Sequence, residues 1–290
     1  MYDAIIIGKG PAGISASLYT ARSNLKTLII GKDDSALRRA LKVENYFGFA
    51  GVVKGEDILE AGIRQALRLG VDIIDDEVIA IEKNDFFEVT TGKDTYSSKA
   101  VLLATGQVRK KISIENLKEF VGKGVSYCST CDGFFYNNLK VGVLGYKDYA
   151  VHEALELLAY TKDITIFTNG RKLELSDKYI DNIKEFKINA KPVTRVSGSD
   201  FLQRIHFDDG TSEDIDGIFV AYESASSSDF ARKLGVLADG DSIVVDKYQQ
   251  TNLEGLFAAG DCTGGLRQIA TAVGQGAMAG KRMGDYIRSL

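Results

Sequence analysis

The stretch Ala4-Ile5-Ile6-Ile7-Gly8-Lys9-Gly10-Pro11-Ala12-Gly13, continued by the small and apolar residues of 14–22, decides the fold. A short β-branched run enters a G-x-G-x-x-G turn, and the turn enters a buried helix predicted over 14–22. A second strand is predicted at 27–30, which makes a β-α-β unit. The pattern alone is weak, but between a strand and a helix it has a mechanism. Gly8 permits the tight turn, Gly10 lets a pyrophosphate approach the backbone, and Gly13 lets the helix pack on the strand. The helix N-terminus then faces the phosphates. Pro11 and Ala12 complete this candidate cofactor-binding turn. The alternative is a glycine-rich turn without a ligand.

A related pattern returns at 141–167: a strand at 141–144, a turn opening at Gly145, a helix over 150–159 and a strand at 164–167. Between the two units, strands are predicted at 78–82, 86–90 and 100–104. Strands at 242–245 and 256–259 and a small-residue helix at about 268–287 follow. The fold class expected is α/β, with two dinucleotide-binding (Rossmann-like) three-layer domains, the second inserted into the first. The first spans 1–109 plus 243–290, and the inserted one 110–242.

A net charge of -4 over 290 residues gives no footprint for nucleic acid. No run approaches the roughly 18 apolar residues of a membrane span. The opening Met1-Tyr2-Asp3 has no basic segment, so 4–7 reads as a buried strand rather than a signal peptide. Three cysteines, two of them in a C-x-x-C, fit a reducing cytoplasm better than a disulfide framework.

Further segments extend the first site. Gly31 stands at the end of the second strand, where a ribose-binding acid is usual. Ala104-Thr105-Gly106 ends a strand in a turn suited to backbone contact with a cofactor. The run 255–261 ends in Asp261, which can meet a ribityl hydroxyl or the pyrophosphate. Residues 264–280 are rich in Gly and Ala, which permits a helix to approach a flat ring.

The most specific motif is Val125-Ser126-Tyr127-Cys128-Ser129-Thr130-Cys131-Asp132-Gly133-Phe134-Phe135-Tyr136. Two residues between cysteines allow a small disulfide ring, commonly with one lowered thiol pKa and exchange through a mixed disulfide. Zinc would need two more ligands, and Cys262, His152 and His206 are scattered, so no metal is expected. A structural disulfide and a pair of buried thiols are the other readings. Cys262 reads as a packed core cysteine.

Taken with Val43-Glu44-Asn45-Tyr46 and Arg267-Gln268, these motifs resemble the low-molecular-weight bacterial thioredoxin reductases, almost end to end and in the same order. The resemblance implies FAD as cofactor, held by the 8–13 turn, Gly31, Asn45, Ala104, Thr105, Gly106, Asp261, Arg267, Gln268, Ile269 and Ala270. It implies a homodimer with thioredoxin as partner. It implies that Cys131 faces the flavin, that Cys128 completes the redox disulfide, and that Asp132 is the acid/base. Which sulfur attacks the partner stays open.

The second nucleotide turn departs from that family. Lys147 occupies the position of its second glycine, in Gly145-Tyr146-Lys147-Asp148-Tyr149-Ala150. Thr168-Asn169-Gly170 replaces a segment with two phosphate-binding arginines, and 222–228 replaces a glycine-containing loop. Losing two charge-assisted contacts of roughly 1.5–3 kcal/mol each weakens NADPH binding by about two to four powers of ten. Lys147, Arg171 or Lys172 could restore part of it. The chain accordingly resembles the ferredoxin-dependent flavin thioredoxin reductases, with Arg38-Arg39-Lys42 or Arg109-Lys110-Lys111 as basic contacts for an acidic ferredoxin. Three alternatives stand beside this: an NADPH-dependent enzyme with an atypical site, a dithiol oxidase using oxygen, and a flavin-bound redox sensor.

Overall fold

The computed structural model describes residues 1–33, 35–106 and 112–290. The chain divides into two compact units, Met1–Val108 with Ser226–Leu290, and Arg109–Ala225.

In the first unit, β1 (Tyr2–Ile7), β2 (Thr27–Ile30), β3 (Asp72–Ile74), β4 (Val78–Lys83), β5 (Phe87–Thr91), β6 (Thr95–Leu103) and the strand Leu256–Ala258 form a seven-stranded sheet. β3, β2, β1 and β6 run parallel in that order. The long β6 serves two partners on its far edge. Its first half pairs antiparallel with β5, and its second half pairs parallel with Leu256–Ala258. The β-branched runs are buried along their whole length, as expected for strands covered on both faces. The chain builds outward from β1 through β2 to β3 and then, by way of the antiparallel β4 and β5, returns to β6 on the other side of β1, so the β1 and β6 C-terminal ends flank a topological switch point, where open α/β sheets bind ligands.

Helix Pro11–Arg22 packs against helix Ile269–Ser289 at unusually close range. A Cβ added at Gly276 would lie 2.1 Å from the Ala12 carbonyl oxygen, and one at Gly280 would lie 2.3 Å from that of Ala16. The Ser15 hydroxyl donates to the Val273 carbonyl at 2.7 Å across the same seam. Two glycines that the sequence suggested for approach to a ring therefore bring two helix backbones together.

In the second unit, β7 (Val125–Ser126), β8 (Val141–Leu144), β9 (Ile164–Phe167) and β10 (Lys187–Asn189) precede an antiparallel set, β11 (Val193–Gly198), β12 (Leu202–Phe207) and β13 (Ser212–Asp214); β14 (Gly217–Val220) follows. The parallel sheet has the order β10-β9-β8-β14-β7. Phe167 of the parallel sheet stacks on Phe207 of the antiparallel one, at 5.9 Å between centroids.

The α/β class with two Rossmann-like sheets is as expected from sequence, with differences in detail. The helix after β8 is Asp148–Leu157, and the strand expected at 242–245 is Ser242–Ile243. Residues 226–242, placed by sequence in the inserted segment, group with the first unit. Ser227 opens helix Ser227–Lys233 and exchanges hydrogen bonds with Thr105: 2.6 Å between hydroxyls and 3.1 Å from the Ser227 amide.

Candidate active site

The first turn divides its glycines between two tasks. A Cβ at Gly8, whose φ is +113°, would meet the Ala104 oxygen at 2.2 Å, and one at Gly13 would meet the Gly8 oxygen at 1.9 Å. Both are demanded by packing. Gly10 differs: among the described residues the nearest atom to its added Cβ is the Ser35 hydroxyl at 3.6 Å, and Gly106, Gly265 and Gly274 have none of the described atoms within 4 Å. Gly10 is thus an open cradle at the N-cap of Pro11–Arg22, with backbone donors beside it, and this fits the pyrophosphate of FAD. Residues 265–268 are exposed, and Leu266 is 70% exposed, so this rim presents backbone and apolar surface. Asn45 donates to Gln268 at 2.9 Å, bringing together two candidate FAD contacts 223 residues apart. The Thr105 hydroxyl is engaged by Ser227, which leaves the backbone of this turn as the part suited to a cofactor.

Gly31 has a packing reason as well. An added Cβ would lie 3.0 Å from the Lys9 amide and 3.4 Å from Lys9 Cγ. The buried Lys9 side chain runs past Gly31 to an ion pair with Asp75, with Asp33 at 3.6 Å. Asp33 is also held by Arg38 at 2.8 Å. Sequence reading passed over Lys9 and Asp33, although a lysine inside a G-x-G turn is a visible signal. Arg38 also pairs with Glu56 and Glu60, so the first basic cluster leaves Arg39 and Lys42 as its exposed cations. Arg109-Lys110-Lys111 lies outside the described residues.

In the second unit, side chains fill the corresponding turn. Lys147 pairs with Glu223 at 2.9 Å and with Glu174 at 3.7 Å. Tyr146 is buried against Tyr222 edge to face, at 5.3 Å between centroids. Burial, and then a hydrogen bond to Glu223, push the Tyr146 phenol up to about 12. Arg171, a candidate for rescuing a phosphate contact, lies over the Tyr146 ring, and its pKa is raised chiefly by a hydrogen bond with Tyr222. The Asp148 carboxylate accepts the Ser176 amide at 2.8 Å. The serines after Glu223 have a structural use, since Ser226 and Asp229 form a capping box for Ser227–Lys233.

Cys128 and Cys131 form a disulfide, with their Cα atoms 5.3 Å apart. Cys128 is buried and Cys131 exposed. Cys128 is the N-cap of Ser129–Asp132, and its Sγ accepts the Cys131 amide at 3.1 Å. A negative charge formed on that sulfur therefore has a donor in place. The Ser126 hydroxyl donates to Asp132 Oδ2 at 2.6 Å and accepts the Cys128 amide at 3.0 Å, tying the acid to the redox loop. Burial, and then the Asp132 charge, raise the pKa of Tyr136. Behind the loop, Glu153 Oε2 accepts the Ser129 amide at 3.2 Å, and Glu156 Oε2 accepts the hydroxyls of Ser129 (2.5 Å) and Thr130 (2.8 Å). Ser126, Glu153 and Glu156 escaped sequence reading. Phe134 and Phe135 beside the pair are exposed. Cys262 is buried, and its thiol donates toward the Ala259 and Leu103 carbonyls at 3.3 and 3.4 Å.

A family model described as pyridine nucleotide-disulphide oxidoreductase matches residues 2–276. The thioredoxin reductase of Listeria monocytogenes is 34% identical, over 100% of this chain and 95% of the relative. The atypical thioredoxin reductase TRi from Desulfovibrio vulgaris Hildenborough has a crystal structure similar to this one, with a TM-score of 0.95 and 40% identity. It is matched over 99% of its length by the whole of this chain. A ferredoxin-flavin thioredoxin reductase from Clostridium acetobutylicum is similar at a TM-score of 0.71 and 28% identity, over 100% of this chain and 99% of that one.

Proposed function

The chain belongs to the pyridine nucleotide-disulphide oxidoreductases and, among them, to the low-molecular-weight thioredoxin reductases; from that membership we propose that it reduces the disulfide of thioredoxin through FAD and Cys128–Cys131, with electrons from reduced ferredoxin rather than NADPH. The observation that carries the choice of donor is the filled second turn. Lys147 takes the position through which a pyrophosphate would approach the backbone, and it is engaged by Glu223 and Glu174. Two carboxylates there repel a phosphate.

The proposed FAD contacts are the backbone of Gly8, Gly10, Pro11, Ala12 and Gly13, the strand end Ala104-Thr105-Gly106, Asn45, Asp261 and 267–270. Asp33, held by Lys9 and Arg38, takes the ribose hydroxyls in place of an acid at Gly31. Bound FAD supplies a ring that accepts electrons singly and releases them in pairs. Reduction of the protein disulfide then takes two electrons and two protons and leaves two thiols. The exposed Cys131 is the sulfur a reductant reaches, and the buried Cys128 leaves as the thiolate supported by the Cys131 amide. Asp132, oriented by Ser126, handles the proton.

The driving force is sufficient. A plant-type ferredoxin near about -400 mV and thioredoxin near about -270 mV differ by roughly 130 mV, about 6 kcal/mol for two electrons. Exposed Arg39 and Lys42 are basic contacts for an acidic donor.

The test is anaerobic mixing of the flavin-loaded protein with excess NADPH and, separately, with reduced ferredoxin, read by flavin absorbance. Fast bleaching by ferredoxin and not by NADPH is expected. Fast bleaching by NADPH overturns the choice of donor and makes the protein an NADPH-dependent enzyme with unusual contacts.

A further inference from the structure

The side chains of His152, Glu153 and Glu156, all on helix Asp148–Leu157, place ligand-type atoms within 4.8 Å of one another directly behind the redox loop. Their oxygens face donors. Glu153, only 2% exposed, takes the Ser129 amide, while Glu156 Oε2 takes the Ser129 and Thr130 hydroxyls. The other Glu156 oxygen lies 3.3 Å from His152 Nε2. The three hydrogen bonds from Ser129 and Thr130 to these carboxylates come from the two residues that separate the cysteines.

We propose that Glu156, with Glu153 behind it, is a positioning residue that keeps the Cys128–Cys131 pair strongly reducing. The half-reaction is one disulfide plus two electrons and two protons giving two thiols, and negative charge appears on the departing Cys128 sulfur. Charge on a thiolate is favoured by donors and disfavoured by nearby carboxylates. The loop has both. The Cys131 amide supports the Cys128 sulfur, whereas the neighbouring Ser129 amide is taken by Glu153, and Glu156 holds a negative charge against the same turn. A dithiol whose thiolate is less stabilised is favoured less in its reduced form, so it passes electrons on more readily. The opposite arrangement, with a stabilised thiolate, makes an oxidant. The hydroxyls of Ser129 and Thr130 tie the Glu156 carboxylate to the turn that carries both sulfurs, so its charge is held beside the pair.

This inference rests on reading Cys128–Cys131 as the redox pair. The full-length flavoprotein is equilibrated in dithiothreitol redox buffers, and the state of the two cysteines is read by the mass added on alkylation. Glu156→Gln keeps an acceptor for both hydroxyls and removes the charge. It is expected to shift the dithiol–disulfide equilibrium about tenfold toward the dithiol, roughly 30 mV to more positive potential. Its reduced pair should also alkylate at lower pH than wild type. Glu156→Asp, which keeps the charge, is expected to recover most of the wild-type value. Glu153→Gln should move the same way; should it not fold, the partly exposed Glu156 alone decides. An equilibrium within twofold of wild type for Glu156→Gln overturns the proposal, as does an equal shift in Glu156→Asp. If the wild-type pair does not exchange with the buffer at all, the redox-pair reading itself fails.

Discussion

Lys147 is the residue through which the blocked turn can be tested most directly. Its ammonium lies 2.9 Å from Glu223 Oε2, with side-chain exposures of 16% and 15%. At an effective dielectric of about 20, that separation gives roughly 5–6 kcal/mol of attraction. Desolvation returns most of it, leaving a net coupling of about 1–2 kcal/mol for a partly buried pair. The contact with Glu174 is longer, 3.7 Å, and that carboxylate is 65% exposed, so it adds no more than about 0.5 kcal/mol. Lys147→Met, Glu223→Gln and the double variant, unfolded in urea, form a thermodynamic cycle. Lys147→Met should cost about 2 kcal/mol because it strands the Glu223 charge, and the double variant should lose less than the two singles together. NADPH titrated into the same proteins by fluorescence should bind Glu223→Gln more tightly than wild type, since a repelling charge is gone. A coupling below about 0.3 kcal/mol, together with NADPH binding that weakens in Lys147→Met, would show that the lysine is free to hold a phosphate and would refute the blocked-turn argument.

Cys131→Ser should abolish disulfide reduction while leaving flavin absorbance intact; turnover above a hundredth of wild type would remove the cysteine from its role. Gly10→Ala should leave the melting temperature of the flavin-free protein within about 1 °C, because among the described residues its Cβ meets only Ser35 at 3.6 Å, yet lower FAD occupancy in a reconstitution titration; Gly13→Ala, aimed at the Gly8 oxygen at 1.9 Å, should destabilise by more than about 2 kcal/mol even without FAD. Ser126→Ala removes the hydroxyl that orients Asp132 and holds the Cys128 amide, so turnover should fall by about tenfold while flavin absorbance is unchanged. Burial pushes the Cys262 thiol up to about 12 from an ordinary value of 9.0. The folded pKa is the higher one, so this contribution to stability is fully present below pH 9 and is lost as pH rises from 9 toward 12. Denaturation midpoints across that window should fall less in Cys262→Ala than in wild type.

The parts of the molecule that sequence disclosed are the local ones. The first turn, the C-x-x-C and the second β-α-β start each lie within a few dozen residues, where glycine placement and β-branched runs carry their own geometry. Helix Gly55–Arg68 was legible and missed. Glu56 and Asp57 in its first turn, with Ile58, Leu59, Ile63 and Ala66 at helical spacing, mark it. Gly55 at its start looks like a breaker but is required there, since an added Cβ would meet the Leu37 oxygen at 2.1 Å. The serines at 226–228 stand where relatives have a glycine-containing loop, and the Ser226–Asp229 spacing is that of a capping box. Partners set by topology left no mark. Lys147 and Glu223 are 76 residues apart, and Thr105 and Ser227 are 122 apart, so neither pair could be inferred before the strands were in register.

The two-sided use of β6 has a bearing on the order in which the molecule can be assembled during synthesis. The strand Leu256–Ala258 and the helix whose Gly276 and Gly280 rest on Ala12 and Ala16 are translated long after the strand and helix they complete. At about 5–20 residues per second, β1 and helix Pro11–Arg22 wait on the order of ten seconds or more for these partners. The segment Arg109–Ala225 lacks no later strand of its own parallel sheet and can close first. A nascent chain arrested before residue 256 should therefore protect the inserted segment from protease while leaving the N-terminal strands open to it.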